Sequence, residues 1–382
     1  MRPSYSTITP AVIHQQARYA LERTLDWKPY HQSVSVADLL NLLLLMAAHT
    51  ASLFATVRRF FSFSHETASR AVKANLPSRE RLVAGLVQAL YDVALFSRQD
   101  CRRRWLLAID THYIAYYGQK TPGVLGGPKK QGTKWFFGYA TACLLHRHRR
   151  YTVALCPLDP KTKPHDIVRT LLEQIARHGL KIRGVALDSA FDSGDTLLLL
   201  QERRLAYTVP LRRKGKGSNA RNRCFEGRHR LIRWAEWTTE TTRRRVKTRV
   251  LLWKGQAKTM AFAFQGWRGD RARDIHRQAE RQRRLYQRRF GIETSYRQKN
   301  QAQAQTTSKD PLYRLLLEGV AYLVRQVWVV LTEQLAGQRR AKPSAWVGEL
   351  PLASLLDWLG DHLEALYQEI RSIPLADGTC GP

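Results

Sequence analysis

The chain has 382 residues, 44% of them hydrophobic, and carries 63 Lys and Arg against 31 Asp and Glu for a net charge of +32. That length and apolar content support large cores and exclude a disordered polycation, while the charge excess requires a polyanionic partner, most simply nucleic acid. Five scattered cysteines (Cys101, Cys143, Cys156, Cys224 and Cys380) form no CxxC pair, which excludes a zinc ribbon or disulfide scaffold and fits a reducing cytoplasm.

The N-terminal MRPSYSTITP does not read as a signal peptide. Residues 1–100 read as a helical domain. The apolar run from Val36 to Phe54 is interrupted by Asp38, Asn41 and His49, so a buried helix, extending to Phe61, is expected rather than a membrane span. No membrane partner is expected. Ser64 and Ser78 are placed to cap the next two helices. These helices fit a DNA-reading helix-turn-helix and a bundle that only packs equally well.

From Trp105 the periodicity changes. WLLAID, ending at Asp110, is an apolar run of strand length. Pro122 to Gly132 reads as a loop, and Trp135 to Leu145 and Tyr151 to Leu158 as a hairpin. Pro164 opens a helix that Gly179 closes. IRGVALD is a buried strand ending at Asp188; Asp192 or Ser193 then caps a second helix, and LAYTVPL is the last strand. The order β-β-β-α-β-α-β predicts a mixed sheet with helices on its faces over residues 101–211. In such a sheet, sites assemble at strand C-terminal ends, where both aspartates lie.

Residues 212–268 alternate in strand fashion and read as a β-rich basic insertion. Between Arg212 and Arg289 there are 25 basic and 6 acidic residues, so the polyanion should meet this half of the chain. A long basic helix from Asp270 to Phe290 leads to Glu293, with a break expected near Gly291. Residues 269–336 are assigned to the core as the glutamate helix and the helix that follows it. Residues 337–382 form an acidic C-terminal helix and tail.

Two carboxylates at strand ends and one on a helix form a minimal oxygen cage for Mg²⁺, and a pair of such ions suits phosphodiester chemistry. Each residue alone has an ordinary explanation: strand-end caps for the aspartates and an i,i+4 ion pair with Arg289 for Glu293. Asp192 and Asp195 compete with Asp188 and read more simply as helix caps. His112, two residues past Asp110, reads as a partly buried strand histidine. Trp234, Trp237, Trp253 and Trp267 read mainly as insertion core, with one of them available to stack on a base.

IDTHYIAYYG around Asp110, VALDSAFDSG around Asp188 and YQRRFGIETSYRQK around Glu293 resemble the DDE transposases of bacterial insertion sequences. The resemblance is nearest to the insertion-sequence-4-like superfamily, whose RNase H-like core carries a β-strand insertion before the glutamate helix. The family signature is Tyr, two residues, Arg, three residues, Glu, six residues, Lys or Arg. Tyr286, Arg289 and Glu293 match it; the last position falls on Asn300, leaving Lys299 and Arg297 as candidates for the basic residue.

The resemblance implies that Asp110, Asp188 and Glu293 are catalytic and bind two Mg²⁺ ions, with Mn²⁺ able to substitute. It implies DNA contacts by Tyr286, Arg289, Arg297 and Lys299. The partners would be the transposon ends and target double-stranded DNA, with a homodimer in the synaptic complex and the final two helices as candidate dimer surfaces. The setting would be a prokaryotic cytoplasm, at the nucleoid. Two alternatives stand beside it: a non-catalytic DNA-binding protein derived from a transposase, and an RNase H-like nuclease without strand transfer.

Overall fold

The computed structural model describes residues 7–146, 149–215, 217, 219–255, 258–267, 275–338 and 350–367. The chain divides into two compact units, one built on Ala94–Arg297 and the other on Pro3–Val93 together with Gln298–Pro382.

The first unit holds one mixed sheet, nine-stranded among the described residues. β1 (Arg104–Tyr116), β3 (Thr133–His146) and β4 (Arg149–Pro157) pair antiparallel in the order β4-β3-β1. β5 (Lys181–Leu187) and β6 (Ala206–Pro210) continue beyond β1 as parallel neighbours. β2 (Leu125–Lys130) shares the outer edge of β3 with β4, at the opposite end of that strand. The glycines and Pro128 of β2 suppress strand propensity, so its sequence favours a loop. Pairing with Trp135 and Phe136 overrides that preference. β1 runs six residues past Asp110, through the β-branched and aromatic residues of THYIAY.

The insertion is no separate module. β7 (Leu231–Thr238), β8 (Arg245–Lys254) and β9 (Thr259–Gln265) extend the same sheet, with β9 antiparallel to β6.

Adjacent residues of β6 show how the faces are covered. Tyr207 is held by Gln201 of α8 (Gly194–Glu202), whereas Thr208 donates to Gln282 of α9 (Ile275–Arg289). Alternation along a strand therefore puts α8 and α9 on opposite faces. On the α9 face, Leu251, Phe262, Phe264, Trp267, Leu285 and Tyr286 share one apolar cluster. Burying each such side chain is worth roughly 1.5–3 kcal/mol. Trp267 lies flat enough on β5 that a Cβ at Gly184 would meet its ring at 2.5 Å, so this crossing requires glycine. α7 (Pro164–Arg177) lies beside α8; it starts at Pro164, and Gly179 follows with φ +71° as expected. Ser193, not Asp192, caps α8.

The second unit is helical. α1 (Pro10–Leu25), α11 (Pro311–Gln338) and α12 (Leu352–Tyr367) all pack on α2 (Val36–Ala48), whose residues Leu39–Ala47 are buried on every side. The single helix expected from Val36 to Phe61 is broken: Thr50 has φ +49°, and α3 (Leu53–Phe60) restarts from a Ser52 cap. α4 (His65–Ala74) and α5 (Arg79–Ala94) follow, on the Ser64 and Ser78 caps; the short α6 (Arg98–Arg102) belongs to the first unit, just before β1. The expected boundary at residue 336 does not hold. α11 groups with the N-terminal helices because its long apolar surface is filled by them. Pro311–Leu335 is long and apolar enough to cross a membrane, but 94% of its most apolar 18-residue stretch is buried inside the protein. Residues 270–274 and 368–370, expected in the last basic and acidic helices, lie outside the described residues.

Candidate active site

The register of the sheet sets the first two carboxylates side by side. Ile109 pairs with Leu187 in the parallel ladder, so Asp110 and Asp188 follow at the same level. Asp110 shares a face with Leu106, which places it under the helical layer formed by α9 and α10 (Gly291–Asn300). Asp110 is 6% exposed; its Oδ1 accepts from the Thr111 amide at 2.8 Å.

Glu293 arrives from above. α9 stops at Arg289, Phe290 makes the turn, and α10 restarts at Gly291, which is the break expected from the sequence. A Cβ at Gly291 would overlap the Arg150 guanidinium, so a larger residue at the restart would have to displace that side chain. Arg289 and Glu293 keep their i,i+4 relation across it.

Arg289 is the common partner. Its Nη1 donates to Asp110 Oδ2 at 2.8 Å and its Nη2 to Glu293 Oε1 at 2.9 Å, with Asp188 Oδ1 at 3.7 Å from Nη2. The guanidinium is seated over the rings of Tyr286 and Phe290 at 5.3 and 5.1 Å. Burial pushes the Asp110 carboxyl up to about 6; Arg289 opposes this, and the negative charges of Asp188 and Glu293 add to it. Burial acts to lower the Arg289 pKa, but Asp110, Tyr286 and Asp188 together hold it above its ordinary value. The site is therefore three carboxylates converging on one shared guanidinium, whose single charge cannot balance all three.

Asp192 and Asp195 are occupied elsewhere. Asp192 pairs with the buried Arg221 and accepts from the Arg212 amide at 2.6 Å, pinning the basic loop that follows β6. Asp195 accepts from the Thr241 and Thr242 amides and the Thr242 hydroxyl, tying α8 to the β7–β8 turn. The pinned loop brings Arg212 Nε within 2.9 Å of Ser189 Oγ, next to Asp188. The sequence marked this loop as basic but gave no sign that Arg212 reaches the site. His112 stacks on Tyr296 with ring centroids 5.0 Å apart, and the Tyr296 hydroxyl bonds Thr141, the ladder partner of Asp110.

The expected DNA contacts divide. Arg297 is exposed. Tyr286 is 8% exposed and supports Arg289 rather than presenting itself to a ligand. Lys299 is corrected: it is fully buried, and its ammonium donates to Glu318 at 2.8 Å and to Gln303 at 2.8 Å. A lysine with no solvent-facing surface cannot meet a phosphate. Of the four insertion tryptophans, Trp234 is 54% exposed and Trp267 6%.

Three carboxylates are a hard-oxygen donor set that suits Mg²⁺ or Mn²⁺ in chemistry. Their spacing, however, is set by the guanidinium, and among the described residues no group of three or more His, Cys, Asp or Glu is arranged to hold a metal.

No protein-family model matches the chain, and comparison with curated proteins finds no match. The fold is similar to that of a piggyBac transposase in a synaptic complex with hairpin DNA, with a TM-score of 0.57 and 11% identity over 95% of this chain and 84% of that one. At this identity the likeness concerns the fold alone: a mixed sheet flanked by helices, consistent with the RNase H-like transposase architecture expected from the sequence. It gives no support to the narrower assignment to the bacterial insertion-sequence-4-like group.

Proposed function

We propose that the chain is a DNA transposase that cuts the ends of its element and joins them to target DNA. The observation that carries this reading is the convergence of Asp110, Asp188 and Glu293 on one guanidinium, at the site where an RNase H-like sheet meets the helix after the insertion. The net charge of +32 and the likeness to a transposase fold support it.

Asp110, Asp188 and Glu293 would hold divalent metal, two Mg²⁺ ions by expectation, with Mn²⁺ able to substitute. The metal would supply an activated oxygen nucleophile and charge stabilisation at phosphorus. The chain's own residues do the rest. Arg289 lies where it can exchange carboxylate partners for a scissile phosphate. Arg212 offers a cation next to Asp188 and Arg297 an exposed one four residues past Glu293, and the Tyr286 and Phe290 rings restrict the guanidinium to that corner. A strand cut at each end leaves a 3′-OH, which then attacks target DNA in line. Two ends held together require at least a homodimer on DNA. Membership of a bacterial insertion-sequence group is the finer part of this proposal and rests on Tyr286, Arg289 and Glu293.

The test is incubation with DNA bearing candidate element ends, in Mg²⁺, Mn²⁺ or EDTA, beside Glu293→Gln. Metal-dependent cleavage lost in the variant, with binding retained, supports the reading. Precut ends separate a transposase, which joins them to target, from a plain nuclease, which does not. The Arg289 ion cluster favours one second reading, in which the carboxylates are structural and the chain only binds DNA. Binding without cleavage in either metal supports that reading instead.

A further inference from the structure

Beside the candidate active site, on the same face of the sheet, lies a cleft of 540 Å³ whose walls are arginine. Arg277, Arg281, Arg284 and Arg288 project into it from α9, and Arg183 closes it from β5. The α9 residues follow one another at four, three and four positions, the spacing of a single helical stripe. All five are exposed. Trp267 and Leu285 make an apolar floor, 6% and 7% exposed. Glu280 is the acid in the lining, and it is already engaged by Arg230 at 3.1 Å. Arg183, Arg284 and Arg288 have no carboxylate partner among the described residues.

So many like charges around one cleft repel one another. Although Arg183 keeps exposed surface, partial desolvation against the cleft wall, then the nearby Arg288 and Arg281, hold its pKa below its ordinary value. An anion along the cleft relieves that repulsion. The shape of the array selects a linear anion over a compact one. From Arg277 to Arg288 the stripe spans about 16 Å at the rise of an α-helix. At roughly 3.4 Å of helix axis per phosphate of one strand, that is about five phosphates of duplex DNA. The stripe ends at Arg288, whose neighbour Arg289 holds the three carboxylates.

We propose that this cleft binds the sugar–phosphate backbone of a DNA strand and feeds it toward the carboxylate site. The inference deepens the proposed function and rests on it, by assigning Arg183 and the α9 stripe as a non-catalytic strand site.

The test is binding alone, so that it can fail independently of catalysis. Anisotropy of a labelled duplex is measured in EDTA across a salt series for the wild type and for the triple variant Arg183→Gln, Arg281→Gln, Arg284→Gln. The control removes equal charge from the other face of the sheet: Lys163→Gln, Arg169→Gln, Arg177→Gln. Each lost phosphate contact flattens the slope of log K against log salt by about 0.9 for a duplex, so the cleft variant should lose roughly 2–3 and the control nearly nothing. The single variant Arg183→Gln, should the triple variant melt early, is expected to lose about 0.9. Equal slopes for the cleft and control variants overturn the proposal. Failure of the cleavage assay with a flattened slope in the cleft variant would reject the transposase reading and leave the cleft assigned.

Discussion

Arg289 donates to Asp110 at 2.8 Å, and both side chains are almost closed to solvent, at 4% and 9% exposure. The same guanidinium bonds Glu293. A metal ion and Arg289 must therefore use overlapping sets of oxygens. Arg289→Gln should bind Mn²⁺ more tightly than the wild type, by about tenfold if one charge-assisted hydrogen bond is lost from the competition. Electron paramagnetic resonance of free Mn²⁺, with no DNA present, reads this directly. Unchanged Mn²⁺ affinity would show that arginine and metal do not share these oxygens.

Lys299 and Glu318 are both fully buried and bonded to each other. Removing one partner strands a charge in a medium that cannot solvate it. Lys299→Met should destabilise the protein by about 3–5 kcal/mol, and the double change Lys299→Met, Glu318→Leu should recover most of that. Chemical denaturation measures both. DNA affinity per folded molecule should stay constant; a selective loss of affinity in Lys299→Met would restore the DNA-contact role expected from sequence.

Trp267 donates its indole N–H to the Tyr207 carbonyl at 2.8 Å from inside the apolar cluster, whereas Trp234 stands exposed beside Lys247 and Arg249. Trp267→Ala should cost about 3–5 kcal/mol. Trp234→Ala should leave stability within about 0.5 kcal/mol of the wild type. Its effect should appear instead as weaker binding to single-stranded DNA, where stacking on a base contributes about 1–3 kcal/mol. Parallel melts and binding titrations of the two variants separate core from surface.

His14 is 7% exposed and bonds Asn41 Oδ1 through Nε2 at 2.8 Å. Burial lowers its pKa from 6.5; the Asn41 bond opposes this, and the nearby His362 and Arg18 add to the lowering. The unfolded chain therefore takes up this proton at higher pH than the folded one. Stability from His14 is full above 6.5 and is lost as pH falls below it. His14→Gln keeps a donor for Asn41 and removes the titration, so its melting temperature should fall less than the wild type's between pH 7 and pH 5. Identical slopes would assign the acid sensitivity to other groups.

What the sequence made legible follows from how local each signal is. Asp110 and Asp188 could be read because each follows an apolar strand run, and Glu293 because helical spacing ties it to Arg289. The break at Gly291 was visible for the same reason. What could not be read depends on partners far along the chain. β2 is made by its pairing with Trp135 and Phe136, against its own glycines. The burial of Lys299 depends on Glu318, and the approach of Arg212 to Ser189 depends on Asp192 and Arg221 holding the loop. α11 reads as an apolar helix from its sequence, but which unit it fills is decided by the surfaces it meets.

The antiparallel seam between β6 and β9 has a consequence for how the chain can change. All five residues of β6 are buried; Ala206–Thr208 pair with β5 on one side and Tyr207–Pro210 with β9 on the other. Deleting the insertion would turn this apolar strand into an open sheet edge, a template on which a second chain can assemble. Loss of the insertion would thus be felt first as aggregation rather than as altered chemistry. Any shorter descendant of this protein would have to redesign β6 before it could discard β7–β9.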